Sequence, residues 1–356
     1  MATSNDPRPT THGPRSGDPF GLRRVLNPKG VLPQRAESID PNLALGPDEL
    51  LIDVESLNVD AASFRQIEKA EGGDAAKIAS HIEGIVKRRG KMHNPVTGSG
   101  GMLIGRVAEI GPEHPARETL KVGDRIATLV SLSLTPLRLE KILAVHPKID
   151  RVDVEAQAIL FASGIYAKLP TDLPDTLSLA ALDVCGAPAL VARHVKPRTT
   201  VLILGAGKSG ALCAAQAKKS GAAKVIALDI SGPAIERLKK DGLIDAGAPV
   251  DATKAIDAMH ALETINDGKL ADMVVNVASV PETEMAAILC ARDGGSVIFF
   301  SMATSFTAAA LGAEGLGKYL TMFVGNGYVP GHADLCLDLV RSVPAIRKLF
   351  EERYAT

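Results

Sequence analysis

Two spacings of apolar residues divide the chain. Up to about residue 150, apolar residues come in short runs with glycine-bearing turns between them. Glu49–Leu57 alternates and predicts a strand, Met102–Ile110 predicts a second, broken at Gly105, and Lys121–Ala127 predicts a turn feeding a third. Val59–Ala70 and Ala75–Arg89 have helical spacing instead, the second ending in the basic run Lys87-Arg88-Arg89. The stretch His93-Asn94-Pro95-Val96-Thr97-Gly98-Ser99-Gly100-Gly101 holds too many glycines for regular structure and predicts a loop. Asp153–Leu169 and Ser178–His194 read as helices. From Thr200 the pattern changes to strand-like runs, Val201–Leu204, Val225–Leu228, Met273–Val277 and Val297–Phe300. Helical stretches starting near Gly210, Pro233, Ala255 and Glu282 separate or follow them. Such a βαβ series predicts a parallel sheet covered on both faces. Thr321–Val324 predicts a further strand, and His332–Glu352 is mostly helical. The expected architecture is α/β. A mostly β domain spans residues 1–175, with a mobile tail up to about Pro19, and a doubly wound domain spans 176–330. A helical segment, 331–356, packs back towards the first domain.

One stretch carries chemistry. Thr200–Asp229 reads strand, Gly205-x-Gly207-x-x-Gly210, helix, strand and then an acid, within about 30 residues, as the Rossmann dinucleotide fingerprint requires. Gly205 permits the tight turn, Gly207 clears room for a pyrophosphate, and Gly210 lets the helix pack on the strand. Lys208 and Ser209 lie in the same turn, where helix N–H groups meet phosphates. Asp229 accepts hydrogen bonds from ribose hydroxyls and repels a 2′-phosphate, so NAD is favoured over NADP, with Ser231 leaving room for both. Val277 and Ser301, at the ends of later strands, complete the expected cofactor contacts. A phosphate-binding P-loop is excluded, since that motif needs glycine where Leu202 stands.

Composition narrows the class. Apolar content of 46% and charged content of 23% are those of a globular protein, and the net charge of −1 gives no footprint for nucleic acid or an acidic membrane. The segment at the start lacks an apolar core, no apolar run approaches a membrane span, and the four cysteines are far apart. These features predict a cytoplasmic protein with reduced thiols.

Glu49–Arg65, Gly100–Thr128 with its K-V-G-D-R-I, Leu177–Lys196, the fingerprint, and Asp272–Ser301 with D-M-V-V-N-V and D-G-G-S-V-I-F-F together resemble the medium-chain dehydrogenase/reductase superfamily. The resemblance implies a GroES-like first domain carrying substrate contacts, a cofactor in the cleft between domains, and a homodimer joined edge to edge through Leu320–Gly325. Zinc-dependent members carry a catalytic Cys near Asn58 and Gly-His-Glu where this chain has Gly100-Gly101-Met102. None of these residues ligates zinc, so a zinc-free enzyme is expected. Within the superfamily, His93–Gly105 and Asp183-Val184-Cys185-Gly186-Ala187-Pro188-Ala189 resemble the L-erythro-3,5-diaminohexanoate dehydrogenase family of lysine fermentation. That resemblance implies NAD(P)-dependent oxidative deamination of a small amino-acid substrate to a 3-oxo acid and ammonia.

Such a reaction needs a general base for the amine, a cation for the carboxylate and an acid group for the distal ammonium. Asp183 and His93 are candidate bases, Arg65 a candidate carboxylate contact, and Ser99 a candidate polar contact. Each also has a plain reading: a solvent-facing turn residue, a loop histidine in water, a surface ion pair and a loop hydroxyl. A zinc-free quinone or enoyl reductase, whose pocket would be apolar, and a non-catalytic dinucleotide sensor are the competing functions.

Overall fold

The computed structural model describes residues 17–301, 303–325 and 327–354, so most of the expected N-terminal tail lies outside the described residues. The chain folds as two compact units, divided in sequence between Thr171 and Asp172.

The first unit opens with a small antiparallel pair, β1 (Val25–Asn27) and β2 (Ser38–Ile39). Then follow β3 (Glu49–Val59), α1 (Ala61–Ala70), α2 (Ala75–Arg89), β4 (Gly101–Ile110), β5 (Arg125–Thr128), β6 (Leu137–His146), β7 (Arg151–Phe161) and β8 (Tyr166–Lys168). The last six strands other than β1 and β2 form one antiparallel sheet in the order β6-β7-β3-β4-β5-β8. Leu50, Ile52, Leu57 and Val59 of β3 are buried with Phe64 and Ile67 of α1 and Ile78, Ile82 and Ile85 of α2. Both helices start at a capping carboxylate: Asp60 accepts from the N–H groups of Ala62 and Ser63, and Asp74 from those of Ala76 and Lys77. The α2 helix stops at Gly90, whose φ of 69° suits glycine.

One expectation fails in this unit. Asp153–Leu169 is not a helix but most of β7, followed by β8. Glu155, Ala156, Gln157 and Ala158 are helix formers, yet Val152, Val154, Ala156 and Ala158 bury one face at a period of two. Pairing with β3 on one side and β6 on the other overrides the local preference.

The second unit contains α3 (Asp175–Leu182), α4 (Gly186–His194), β9 (Thr200–Leu204), α5 (Lys208–Lys219), β10 (Lys224–Asp229), α6 (Gly232–Lys240), β11 (Ala246–Pro249), α7 (Ala255–Ile265) and β12 (Ala271–Asn276). It continues with α8 (Glu284–Cys290), β13 (Ala291–Phe299), α9 (Phe306–Gly315), β14 (Thr321–Val324), α10 (His332–Ser342) and α11 (Pro344–Tyr354). The sheet is parallel throughout, in the order β11-β10-β9-β12-β13-β14. Strand order reverses between β9 and β12, which makes the carboxyl ends of those strands the switch point where such sheets bind ligands.

Two expected boundaries move. The helix expected over Ser178–His194 is two helices bent by 53° around Asp183–Cys185. Gly186 opens α4 against the chain at Gly327, where a Cβ on residue 186 would stand 2.6 Å from the Gly327 carbonyl oxygen. The expected separate segment 331–356 does not form one: α10 and α11 pack on α3, α4 and α5 and belong to the second unit. Their apolar residues Cys336, Leu337, Leu339, Val340, Ile346 and Phe350 are buried, which ties them there.

Candidate active site

The strongest site lies at the carboxyl ends of β9, β10, β12 and β13. Gly205 leaves β9 with φ 106°, a conformation that costs other residues about 1–2 kcal/mol. Gly210 packs so closely that a Cβ there would stand 1.9 Å from the Gly205 carbonyl oxygen. Gly207 differs, because a Cβ on it would meet nothing within 4 Å. The space beside it is open, and the N-terminus of α5 that it starts has no side-chain cap. Uncapped amides facing open space at a helix N-terminus fit the pyrophosphate of a dinucleotide.

Asp229, the last residue of β10, is locked to this turn. Its Oδ2 accepts from the Ala206 N–H at 2.7 Å and its Oδ1 from the Ser231 N–H at 2.7 Å. Ser231 in turn caps α6 by accepting from the Ala234 N–H. The carboxylate is thereby fixed beside the glycine turn. Val277 continues the ladder past β12, donating to the Leu204 carbonyl at 3.0 Å, and Ser301 follows β13, its Oγ accepting from the Ala303 N–H at 3.2 Å. Lys208 and Ser209 are the first two residues of α5. All nine expected cofactor residues therefore sit on one edge of one sheet.

Asp183 belongs to this group rather than standing alone. Its Oδ2 accepts from Lys208 Nζ at 2.5 Å, and the same ammonium lies 5.9 Å from the Tyr354 ring centroid. Half of the Asp183 side chain is exposed against a quarter of that of Lys208, so the lysine is the better shielded partner.

The other candidates, all in the first unit, point to separate partners. Arg65 on α1 is mostly exposed and pairs loosely with Asp150 at 3.7 Å and Glu68 at 3.9 Å. Burial, opposed by Arg65, raises the Asp150 carboxyl above its ordinary range. His93 follows α2, and its Nδ1 stands 3.4 Å from Arg89 Nη1. It borders an open hollow of about 630 Å³ together with Pro28, Leu32, Gln34, Arg35 and Glu37. Burial, with the nearby charges of Lys91 and Arg89, pushes its pKa down to about 4, so it is neutral at pH 7. Lys91 itself is fully buried, its ammonium donating to the Pro33 and Gln34 carbonyls, and burial lowers it to about 8. Ser99 closes a turn in which its carbonyl accepts from the Asn94 N–H at 2.9 Å.

Residues that the sequence did not single out hold these loops. Asn94 is fully buried, accepts from the Val96 N–H and donates to Gln66 Oε1 at 2.8 Å, while Ser63 Oγ and Thr97 Oγ1 are 2.5 Å apart. They weld the glycine-rich loop to α1. In the sequence this shows only as an Asn-Pro pair, Asn94-Pro95, which signals a turn. At the metal-equivalent positions, Asn58 pairs with Met102 and Val59 with Gly101 across β3 and β4. Among the described residues, no group of three or more His, Cys, Asp or Glu side chains gathers where a metal ion would fit.

A family model described as the L-erythro-3,5-diaminohexanoate dehydrogenase N-terminal domain matches residues 23–170. The chain is 50% identical over 341 residues to L-erythro-3,5-diaminohexanoate dehydrogenase of Acetoanaerobium sticklandii, covering 95% of this chain and 99% of that one. It is 51% identical over 346 residues to the protein of that name from Fusobacterium nucleatum, covering 96% and 99%. Among solved structures, a mycobacterial protein complexed with NADPH aligns with a TM-score of 0.54 at 18% identity, covering 86% of this chain and 88% of the other. At that identity the likeness is one of fold.

Proposed function

Because the chain belongs to the L-erythro-3,5-diaminohexanoate dehydrogenase family, we propose how its own residues serve that reaction. The enzyme is an oxidoreductase acting on a CH–NH2 carbon. Substrate, oxidised nicotinamide cofactor and water become 5-amino-3-oxohexanoate, ammonia, the reduced cofactor and a proton. The bound cofactor supplies the hydride acceptor. The amine must be neutral before hydride leaves, since its lone pair forms the C=N bond of the iminium that water then hydrolyses.

Of the two nicotinamide dinucleotides, NAD is the better fit. The observation that carries this is Asp229, an anion fixed by two backbone N–H groups beside the glycine turn. A 2′-phosphate brought there meets a charge that cannot swing away. Gly207 and the first turn of α5 take the pyrophosphate, with the Lys208 ammonium alongside.

Asp183 serves best as the residue that holds Lys208 in place, since its carboxylate is engaged by that ammonium. His93, neutral and beside Arg89, serves best as a support of the loop before β4. Arg65 remains the carboxylate contact of this proposal, because its loose pairs leave it able to turn to a substrate. Ser99 lies in the same unit as a polar contact.

The reaction proceeds without zinc in this reading, because Asn58, Gly101 and Met102 supply no ligand. We also propose a cytoplasmic homodimer. The four cysteines are free and buried, as suits a reducing compartment, and no single helix among the described residues is long and apolar enough to cross a membrane. β14 pairs on one side only, with Val324 and Tyr319 exposed, and a second copy of that edge would cover it. The reverse reaction tests the function: 5-amino-3-oxohexanoate should oxidise NADH only when ammonium is present. NADH oxidation without ammonium, or with quinones and enoyl compounds alone, favours the competing reductase.

A further inference from the structure

A buried polar network lies beside the glycine turn and none of the cofactor contacts above uses it. Asn276, the last residue of β12, is fully buried; its Nδ2 donates to Thr283 Oγ1 at 2.8 Å and its Oδ1 accepts from the Ala278 N–H at 3.2 Å. The next residue after Thr283 is Glu284, the first of α8, also buried. Its Oε1 accepts from the Ser305 N–H at 2.6 Å. Asn276 thus ties down both ends of the segment 277–283, and Glu284 ties that segment to the one that follows β13.

These two segments leave the carboxyl ends of neighbouring strands. The first packs on the glycine turn, for a Cβ on Gly205 would stand 3.2 Å from the Ala278 N and 3.3 Å from the Val277 carbonyl carbon. Without the anchors little would hold it: Val280 is exposed and Glu282 has φ 67°. Asp229 and Ser231 lie on the β10 side of β9, where they meet the adenosine half of a dinucleotide. Val277 and Ser301 lie on the β12 and β13 side, where the other half must lie. Buried hydrogen bonds that hold a loop in its bound shape reduce the ordering that binding requires.

We propose that Asn276, Thr283 and Glu284 are positioning residues that preform the wall for the nicotinamide ring of the cofactor. This rests on the dinucleotide reading above. They touch no cofactor themselves and act through Val277, Ala278 and Ser301.

Calorimetric titration of the purified full chain with NAD and, separately, with ADP-ribose tests it. ADP-ribose has the adenosine, pyrophosphate and second ribose but no nicotinamide. In Glu284→Ala, NAD should bind about tenfold or more weakly while ADP-ribose changes less than about twofold. Glu284→Gln, which keeps an oxygen for the Ser305 N–H, should recover most of the loss. Thr283→Val, nearly isosteric, should show the same split on a smaller scale and stands in if Glu284→Ala does not fold. Equal losses for both ligands, or no loss for either, overturn the proposal. A wild-type chain that binds neither ligand instead overturns the dinucleotide reading, and this proposal with it.

Discussion

The parallel sheet and the antiparallel sheet treat their candidate residues in opposite ways. In the parallel unit, every expected cofactor residue falls at or just beyond the carboxyl end of a strand, in the turn or first helical turn that follows, and all strands run the same way, so sequence-distant residues share one edge. In the antiparallel unit neighbouring strands end on opposite edges, and loops decide where a side chain points. Arg65 faces Asp150, His93 faces Arg89, and Ser99 closes its own turn. The motif in the parallel unit therefore gathers its residues at one place in the fold, whereas the candidates of the antiparallel unit stay on separate helices and loops. Substitutions that break this contrast can be ranked by expected size.

The largest effect belongs to Gly210. A Cβ 1.9 Å from the Gly205 oxygen forces α5 off β9. Gly210→Val should abolish measurable NAD binding and destabilise the unit by about 1–3 kcal/mol, as overpacking does. Calorimetric titration and thermal unfolding check it. Binding within a few-fold of wild type would show that the turn does not hold the cofactor.

Next is Asp229. Asp229→Ser removes the fixed charge and should shift the NAD-to-NADP preference towards NADP by about tenfold or more, since each 1.4 kcal/mol is tenfold. Ratios of kcat/KM for the two cofactors measure it. A wild-type enzyme that already prefers NADP contradicts the role given to Asp229.

Asp183 should give a moderate effect that separates its two readings. As the partner of Lys208, Asp183→Asn should raise the KM for NAD about three- to tenfold with kcat nearly kept, the loss of one charge-assisted hydrogen bond discounted for its exposure. As general base, it should instead cost kcat about 100-fold or more.

His93 gives the smallest effect, and one with a sign. Its pKa is about 4 in the folded chain against an ordinary 6.5, so the unfolded chain takes up the proton first as pH falls. The contribution of neutral His93 is present above about 6.5 and is lost progressively down to about 4. The stability of wild type relative to His93→Asn, followed by thermal unfolding, should therefore shrink across that window. A difference independent of pH would mean that the ring is free in water.

The same contrast explains what the sequence made legible. The fingerprint was readable because each part has a local cause: glycine where φ is positive, glycine where a helix meets a strand, an acid at a strand end. β7 was not, because Glu155–Ala158 prefers a helix and only pairing with β3 and β6 makes it a strand. β1 and β2 are too short to carry a period. The close approach of Gly186 to Gly327, beside the break at Asp183–Cys185, joins residues far apart along the chain, and the tie between Asp183 and Lys208 likewise forms only on folding. Asn276 and Glu284 look like an ordinary strand end and helix start until Thr283 and Ser305 are seen beside them.

Amine oxidation on NAD is the chemistry proposed for this fold. Purified enzyme incubated with L-erythro-3,5-diaminohexanoate and NAD, with NADH and ammonia followed together, tests it most directly. One ammonia should appear for each NADH, at a rate that rises with pH as the amine loses its proton, and more slowly when NADP replaces NAD. NADH formed without ammonia, or no NADH at all from this substrate, would contradict it.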